Sequence, residues 1–196
     1  VIMIIKEKIF DTKELDIIKN HVLEIEDKVK NLGESRYPGA GENALTGRFD
    51  IFNFFNSDIG PLLEKRIKPF LEKYNFFRPL SIQCWGNTLR KDQGIKIHQH
   101  SDGTLQSFYC ANVFICGEQE IGTYYVKEAD PEYDRNLATK KVIKKFKSVP
   151  GEIALFDSSL FHYVKPNPKD DVRISIAMDI YQNTIFNNND RYYIMK

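Results

Sequence analysis

Cysteine is scarce in this chain and does not occur in pairs. The three cysteines, Cys84, Cys110 and Cys116, include no C-x-x-C spacing. An odd count without metal-binding spacing argues against a disulfide framework and against a structural zinc site. Cys84 and Cys110 lie in strand-like runs and read as small buried hydrophobes. A reducing, intracellular and cytoplasmic setting is therefore expected. Long apolar runs are also missing: none approaches the roughly 20 residues of a membrane-spanning helix, and the start shows no signal-peptide pattern. Charge of one sign is not in excess, with 28 Lys and Arg against 27 Asp and Glu and a formal net charge of +1. That balance gives no global reason to expect a phosphate backbone as partner. There is no internal repeat and no low-complexity linker. A chain of 196 residues is then most economically one soluble domain with a core of its own.

The hydrophobic pattern changes character along the chain. Ile2–Phe10 reads as an opening strand. Asp11 with Glu14 three residues on forms a capping-box signature. Leu15, Ile18, Val22, Ile25, Val29 and Leu32 then mark one apolar face of a helix, with Gly33 as its C′ residue. A face of this kind suits packing on a sheet better than a coiled coil. Residues 33–50 read as a loop. Gly60-Pro61 opens a second helix, with Leu63, Ile67, Phe70 and Tyr74 on one face and Pro69 expected to kink or split it. From Leu80 the chain becomes β-rich, with strands expected at 80–89, 94–100, 107–115, 121–127, 141–147, 152–157, 161–165 and 172–182; Asn187–Asp190 reads as a turn. Many short strands separated by turns suggest a sandwich or barrel. The expected class is α+β, with residues 1–79 a helical support and 80–196 a jelly-roll core.

The chemistry concentrates in the second half. In the run Gly94-Ile-Lys-Ile-His-Gln-His-Ser-Asp102, alternate side chains of a strand share a face. Lys96, His98, His100 and Asp102 then point together. A His-x-Asp pair with one distant histidine, His162, is the minimal recipe for a facial triad holding non-haem Fe(II) with open positions. Arg173 follows in Val172-Arg-Ile-Ser175, where a guanidinium fork suits a carboxylate. His21 reads as an exposed helix position and Trp85 as core. Lys140, Lys141, Lys144, Lys145 and Lys147, interleaved with Val142, Ile143 and Phe146, mark a charged edge strand rather than a nucleic-acid patch.

Five pieces in order carry a family resemblance over about residues 80–182. They are the glycine-led strand into His100-Ser-Asp102; the strand-like Ser107–Ile115 and Ile121–Val126; Pro150-Gly-Glu-Ile-Ala-Leu-Phe156; Phe161-His-Tyr-Val-Lys-Pro166; and Val172-Arg-Ile-Ser-Ile-Ala177. Together they resemble the Fe(II)/2-oxoglutarate-dependent dioxygenases. The resemblance implies a double-stranded β-helix (cupin-like jelly roll), with His100, Asp102 and His162 as iron ligands and Arg173 clamping the far carboxylate of 2-oxoglutarate. Ser175, Tyr109 and Asn87 are further candidates for contact with that co-substrate. A branch common among uncharacterised bacterial and phage members carries Trp-x-Asn followed by His-x-His, which Trp85-Gly-Asn87 and His98-Gln-His100 resemble. In that alignment His98 is the first ligand; in the other it sits beside the iron.

The implied reaction consumes 2-oxoglutarate and oxygen, with ascorbate as a candidate reductant. It releases succinate and carbon dioxide while hydroxylating a substrate. A protein or peptide side chain is favoured, because Pro150–Ser175 looks closest to prolyl-hydroxylase-like members; a small metabolite and a nucleobase stay open. Loops 33–50 and 127–140 are candidate lids. Two other classes compete: a cupin-like metal enzyme that does not use 2-oxoglutarate, for which His98, His100 and His162 would serve, and a jelly-roll binding module without catalysis.

Overall fold

The computed structural model describes residues 4–30, 53–76, 79–100, 108–126, 142–182 and 192–196. Ten strands are found among them: β1 (Ile4–Lys8), β2 (Leu80–Leu89), β3 (Ile95–His98), β4 (Tyr109–Cys116), β5 (Thr123–Val126), β6 (Val142–Phe146), β7 (Glu152–Asp157), β8 (Phe161–Val164), β9 (Arg173–Tyr181) and β10 (Tyr193–Met195). Two α-helices, α1 (Thr12–Lys30) and α2 (Gly60–Lys73), and a 3-10 turn at Phe54–Asn56 complete the described elements. The strands form a six-stranded sheet in the order β1-β7-β4-β9-β2-β10 and a four-stranded sheet in the order β3-β8-β5-β6. Every strand pairing is antiparallel. This is the α+β arrangement expected, helices supporting a double-stranded β-helix.

Period-two alternation in β9 divides the larger sheet into two faces. Ile174, Ile176, Met178 and Ile180 are fully buried and join one cluster with Val22 and Ile25 of α1 and Leu63 and Ile67 of α2. Arg173, Ser175, Ala177 and Asp179 take the other face, opposite Leu89, Asn87, Trp85 and Gln83 of β2. The helices therefore shield one side of the sheet, and the polar residues fall between the two sheets.

Helix α1 starts as expected: the Glu14 N–H donates to Asp11 Oδ1 at 3.0 Å and the Asp11 N–H to Glu14 Oε2 at 3.1 Å. Leu15, Ile18, Val22, Ile25 and Val29 are all buried, while Leu32, Gly33 and the loop 33–50 lie outside the described residues. A Cβ on Gly86 would come within 3.0 Å of the Phe54 ring and 3.1 Å of Val22, so the missing side chain lets α1 and the 3-10 turn sit close on β2.

Three expectations need correction. Pro69 was expected to kink or split α2, and it does not split it: the helix runs from Gly60 to Lys73. Pro69 is exposed, so the hydrogen bond it deletes leaves a carbonyl to water, while Ile67, Phe70 and Leu71 are held in the core. His21 is not an exposed residue: its ring meets Phe54 edge-on at 5.1 Å, and its Nε2 is buried without a partner. Strand β10 was not expected; it pairs with Leu80–Ile82 of β2 at the sheet edge. The lysine-bearing β6 lies at an edge of the smaller sheet, as its charge pattern suggested.

Ile176 is fully buried on the helix side, away from the polar face. We expect Ile176→Ala to lower stability to urea by about 2–5 kcal/mol while leaving metal affinity unchanged. A parallel loss of metal binding would show that the two faces are not separable.

Candidate metal centre and co-substrate cleft

Strand pairing builds the site. Strands β3 and β8 place His98 directly opposite His162, and β5 places Tyr125 opposite His162 on the other side. A Cβ on Gly94 would lie 2.7 Å from the Val164 carbonyl, so glycine permits the close approach at the head of β3. The His98 and His162 rings are 4.2 Å apart, and His100 lies 5.1 Å from His98 and 5.2 Å from His162. One ligand atom from each of the three lies within 4.8 Å of the others.

The hydrogen bonds fix how these rings face. His98 Nδ1 is 2.8 Å from the Lys96 carbonyl, and His162 Nδ1 is 3.0 Å from the Leu160 carbonyl. A carbonyl only accepts, so both rings carry their proton on Nδ1 and present an Nε2 lone pair. His100 Nδ1 meets Asp179 Oδ1 at 2.6 Å, and its Nε2 is 3.2 Å from His98 Nε2. Two nitrogens bound cis to one ion at about 2.1 Å would be separated by about 3 Å, so this spacing fits a shared metal. Without a metal, a proton on His100 Nε2 would bridge the pair, and metal and proton compete for the same position. Imidazole donors suit Fe, Ni, Zn or Cu.

Burial keeps the ligands neutral. The His98 pKa is pushed down to about 4, chiefly by burial and then by the neighbouring His100. Burial holds His162 well below the ordinary imidazole range, with His98 and His100 adding to it. The ring of Trp85 lies over His100 at 5.8 Å, and Phe156 packs edge-on against His162 at 4.9 Å.

Further along the same face lies Arg173, only 3% exposed. Its Nη2 donates to Ser148 Oγ at 3.1 Å, and that hydroxyl donates on to the Ile121 carbonyl at 2.7 Å. Phe114 lies under the guanidinium at 5.2 Å. Nε and Nη1 are buried and have no partner, and no carboxylate pairs with Arg173 among the described residues. Burial lowers its pKa to about 10, which leaves it charged at neutral pH. Such a cation is costly unless an anion completes it. Asn87, opposite Ser175 across β2 and β9, has a buried Oδ1 without a partner. The Tyr125 hydroxyl lies near Asn112 without a well-formed hydrogen bond, and burial holds its pKa up. The guanidinium N–H groups and the phenol provide unsatisfied donors for a small polar anion, while the Asn87 oxygen is an acceptor and would face a donor instead.

Several candidate residues thus converge: His98, His100 and His162 around one point, and Arg173, Ser175 and Asn87 on one face. Asp102 lies outside the described residues, as does the loop 127–140. His98, expected in one alignment to stand beside the metal, is a full member of the cluster. Tyr109 does not face the site; it packs against Phe76 at 4.8 Å in the helix-side core. Its neighbour Cys110 takes the inward position, with Sγ 3.3 Å from Asp179. Sequence reasoning missed Tyr125 and Asp179. Tyr125 follows a tyrosine of opposite facing, so only the register with His162 singles it out.

The family model for 2OG-Fe(II) oxygenases matches residues 83–179, from the strand opposite Asp179 to Asp179 itself. Over these residues the chain is similar to the 2OG-Fe(II) oxygenases. That match supports an oxidoreductase using Fe(II), 2-oxoglutarate and oxygen, and the imidazole cluster and the unpaired Arg173 fit the first two of these. No curated protein sequence matches the chain. Similar solved structures include HygX from Streptomyces hygroscopicus, with nickel and 2-oxoglutarate bound, at 14% identity and TM-score 0.62, covering 94% of this chain and 83% of that one. A Pseudomonas putida prolyl-4-hydroxylase matches at 10% identity and TM-score 0.59, covering 92% of each chain. The epimerase SnoN from nogalamycin biosynthesis matches at 14% identity and TM-score 0.63, covering 91% of this chain and 76% of that one. The chain spans 58% of the length of an oxygenase-family oxidoreductase from Burkholderia pseudomallei. At these identities the likeness concerns the fold. Among the described residues, no helix is long and apolar enough to cross a membrane.

The buried imidazoles set a pH dependence. His98, His162 and His21 all have lowered pKa values in the folded state, whereas unfolded imidazoles take up protons near pH 6.5. Below that pH the unfolded state binds more protons, so stability falls as pH drops from about 6.5 toward 4. We expect the melting temperature of metal-free protein to fall between pH 7 and 5, and Co(II) to raise it at pH 7.5 and still at pH 5, where the folded imidazoles remain neutral. A flat profile in both series would contradict the buried neutral cluster.

Proposed function

We propose that this oxygenase hydroxylates a side chain of a protein or peptide, releasing succinate and carbon dioxide from 2-oxoglutarate. The observation that carries the co-substrate reading is Arg173, a buried cation with two unpaired N–H groups facing the cleft. A guanidinium in this state matches the distal carboxylate of a dicarboxylic acid. His98, His100 and His162 would hold the iron through Nε2. Bound iron supplies the redox chemistry that couples decarboxylation of 2-oxoglutarate to oxidation of the substrate. The chain's own contribution is positional. Arg173, steadied by Ser148, fixes one end of the co-substrate, while Tyr125 offers a phenolic donor. Trp85 and Phe156 exclude water beside the ligands, which suits a site that must contain an oxidant.

Hydroxylation of a peptide side chain is favoured by the likeness of Pro150–Ser175 to prolyl-hydroxylase-like sequences. The epimerase among the similar structures marks the main alternative, a different oxidation of a small metabolite on the same fold. Three imidazoles alone would also suit a cupin-like enzyme that makes no use of 2-oxoglutarate. Arg173 separates the two, since such an enzyme has no need of a buried unpaired cation.

The test is succinate formation with Fe(II), ascorbate and 2-oxoglutarate, first without added substrate and then with a peptide library. Arg173→Ala should raise the KM for 2-oxoglutarate by about 10- to 100-fold, the loss of one charge-assisted pair. An unchanged KM in folded Arg173→Ala would remove the co-substrate reading, and turnover enhanced by metabolites but by no peptide would redirect the substrate class.

A further inference from the structure

Asp179 stands at the far end of the polar face of β9, and nothing in the co-substrate reading uses it. It is buried, and its Oδ1 receives His100 Nδ1 at 2.6 Å and the Cys110 thiol at 3.3 Å. His100 follows the end of β3, beyond the His98–His162 pairing that orients the other two rings. Those two rings are set by carbonyls two residues before them in their own segments. His100 instead takes its orientation from a carboxylate 79 residues away, on the opposite sheet.

We propose that Asp179 is a positioning residue that fixes His100 as a metal ligand and delivers a negative charge to the centre through that imidazole. The inference rests on the metal-centre reading above and specifies how the third ring is set. The two ring nitrogens of an imidazole point away from each other. A carboxylate on Nδ1 therefore lies across the ring from a metal on Nε2 and does not bind the same ion. Holding the proton on Nδ1 leaves Nε2 as a donor and makes it more basic, and outer partners of this kind sustain metal affinity. Cys110 donates to the same oxygen and, with Trp85 stacked on His100, restricts the carboxylate and ring to one arrangement. Asp179 lies on the larger sheet and His100 just past the end of β3 of the smaller one, so their bond also ties the two together.

The experiment is Co(II) binding by calorimetry and visible spectroscopy, with folding checked by circular dichroism and melting temperature. Wild type should bind one Co(II) tightly, and His162→Ala should abolish that binding. If wild type binds no Co(II), the metal-centre reading fails, and with it this inference. Given wild-type binding, Asp179→Ala should weaken affinity by about 10- to 100-fold and alter the Co(II) absorption. Asp179→Asn keeps the shape and an acceptor oxygen but loses the charge, and should fall between the two. A structural role alone would lower the melting temperature of both variants while leaving affinity and spectrum as in wild type, and that result overturns the proposal. Should Asp179→Ala fail to fold, the isosteric Asp179→Asn decides on the same readouts. A measurement without substitution stands beside these: imidazole 15N shifts of Zn(II)-loaded wild type should place the His100 proton on Nδ1. A proton on Nε2 would overturn the assignment.

Discussion

Antiparallel pairing of β3 with β8 sets His98 against His162 at one cross-strand position, and the rest of the site is arranged around that pair. Two imidazoles are brought to a ring separation of 4.2 Å in a place where burial keeps them uncharged. The neighbouring sheet supplies what the pair lacks: Asp179 to steady a third imidazole, and Arg173 to meet an anion. The polar face of β9 carries both groups, at opposite ends of one strand. Its other face carries only apolar side chains, and the helices cover it. One strand thus joins the support of the fold to the chemistry of the cleft.

The energetic logic is one of deliberate incompleteness. A buried guanidinium with two unpaired donors, an amide oxygen and a phenol without good partners all weaken the protein in isolation. The large helix-backed core absorbs that cost. The unsatisfied guanidinium and phenol donors become binding energy when an anionic co-substrate arrives. Neutral, converging imidazoles act in the same sense toward a cation, and the two deficits are of opposite sign and adjacent.

Much of this was legible in the residues. Alternation in β9 and in the first half of β2, and a short apolar run bounded by turns at β7, made these strands readable almost to the residue, and the five ordered segments pointed to both the fold and its cofactors. What stayed hidden depended on register between distant strands. His98 and His100 have the same parity, so alternation alone cannot rank them, whereas the fold brings both rings close to His162. Tyr109 and Cys110 differ by one position, and a one-residue shift exchanges core for cleft. Asp179 and Tyr125 carry no local motif; each becomes visible only when a partner strand sets it beside a histidine. His21 and Pro69 were misread for a related reason. Packing against Phe54 buries the one, and an exposed helix face tolerates the other.

The most direct test of the account is anaerobic titration of the protein with Fe(II) and then 2-oxoglutarate, followed by visible absorption. Iron chelated by 2-oxoglutarate at the imidazole cluster should give a visible charge-transfer band that is lost when His98 or His162 is replaced by alanine. Iron that binds tightly but gives no band on addition of 2-oxoglutarate would contradict the joined metal and co-substrate site.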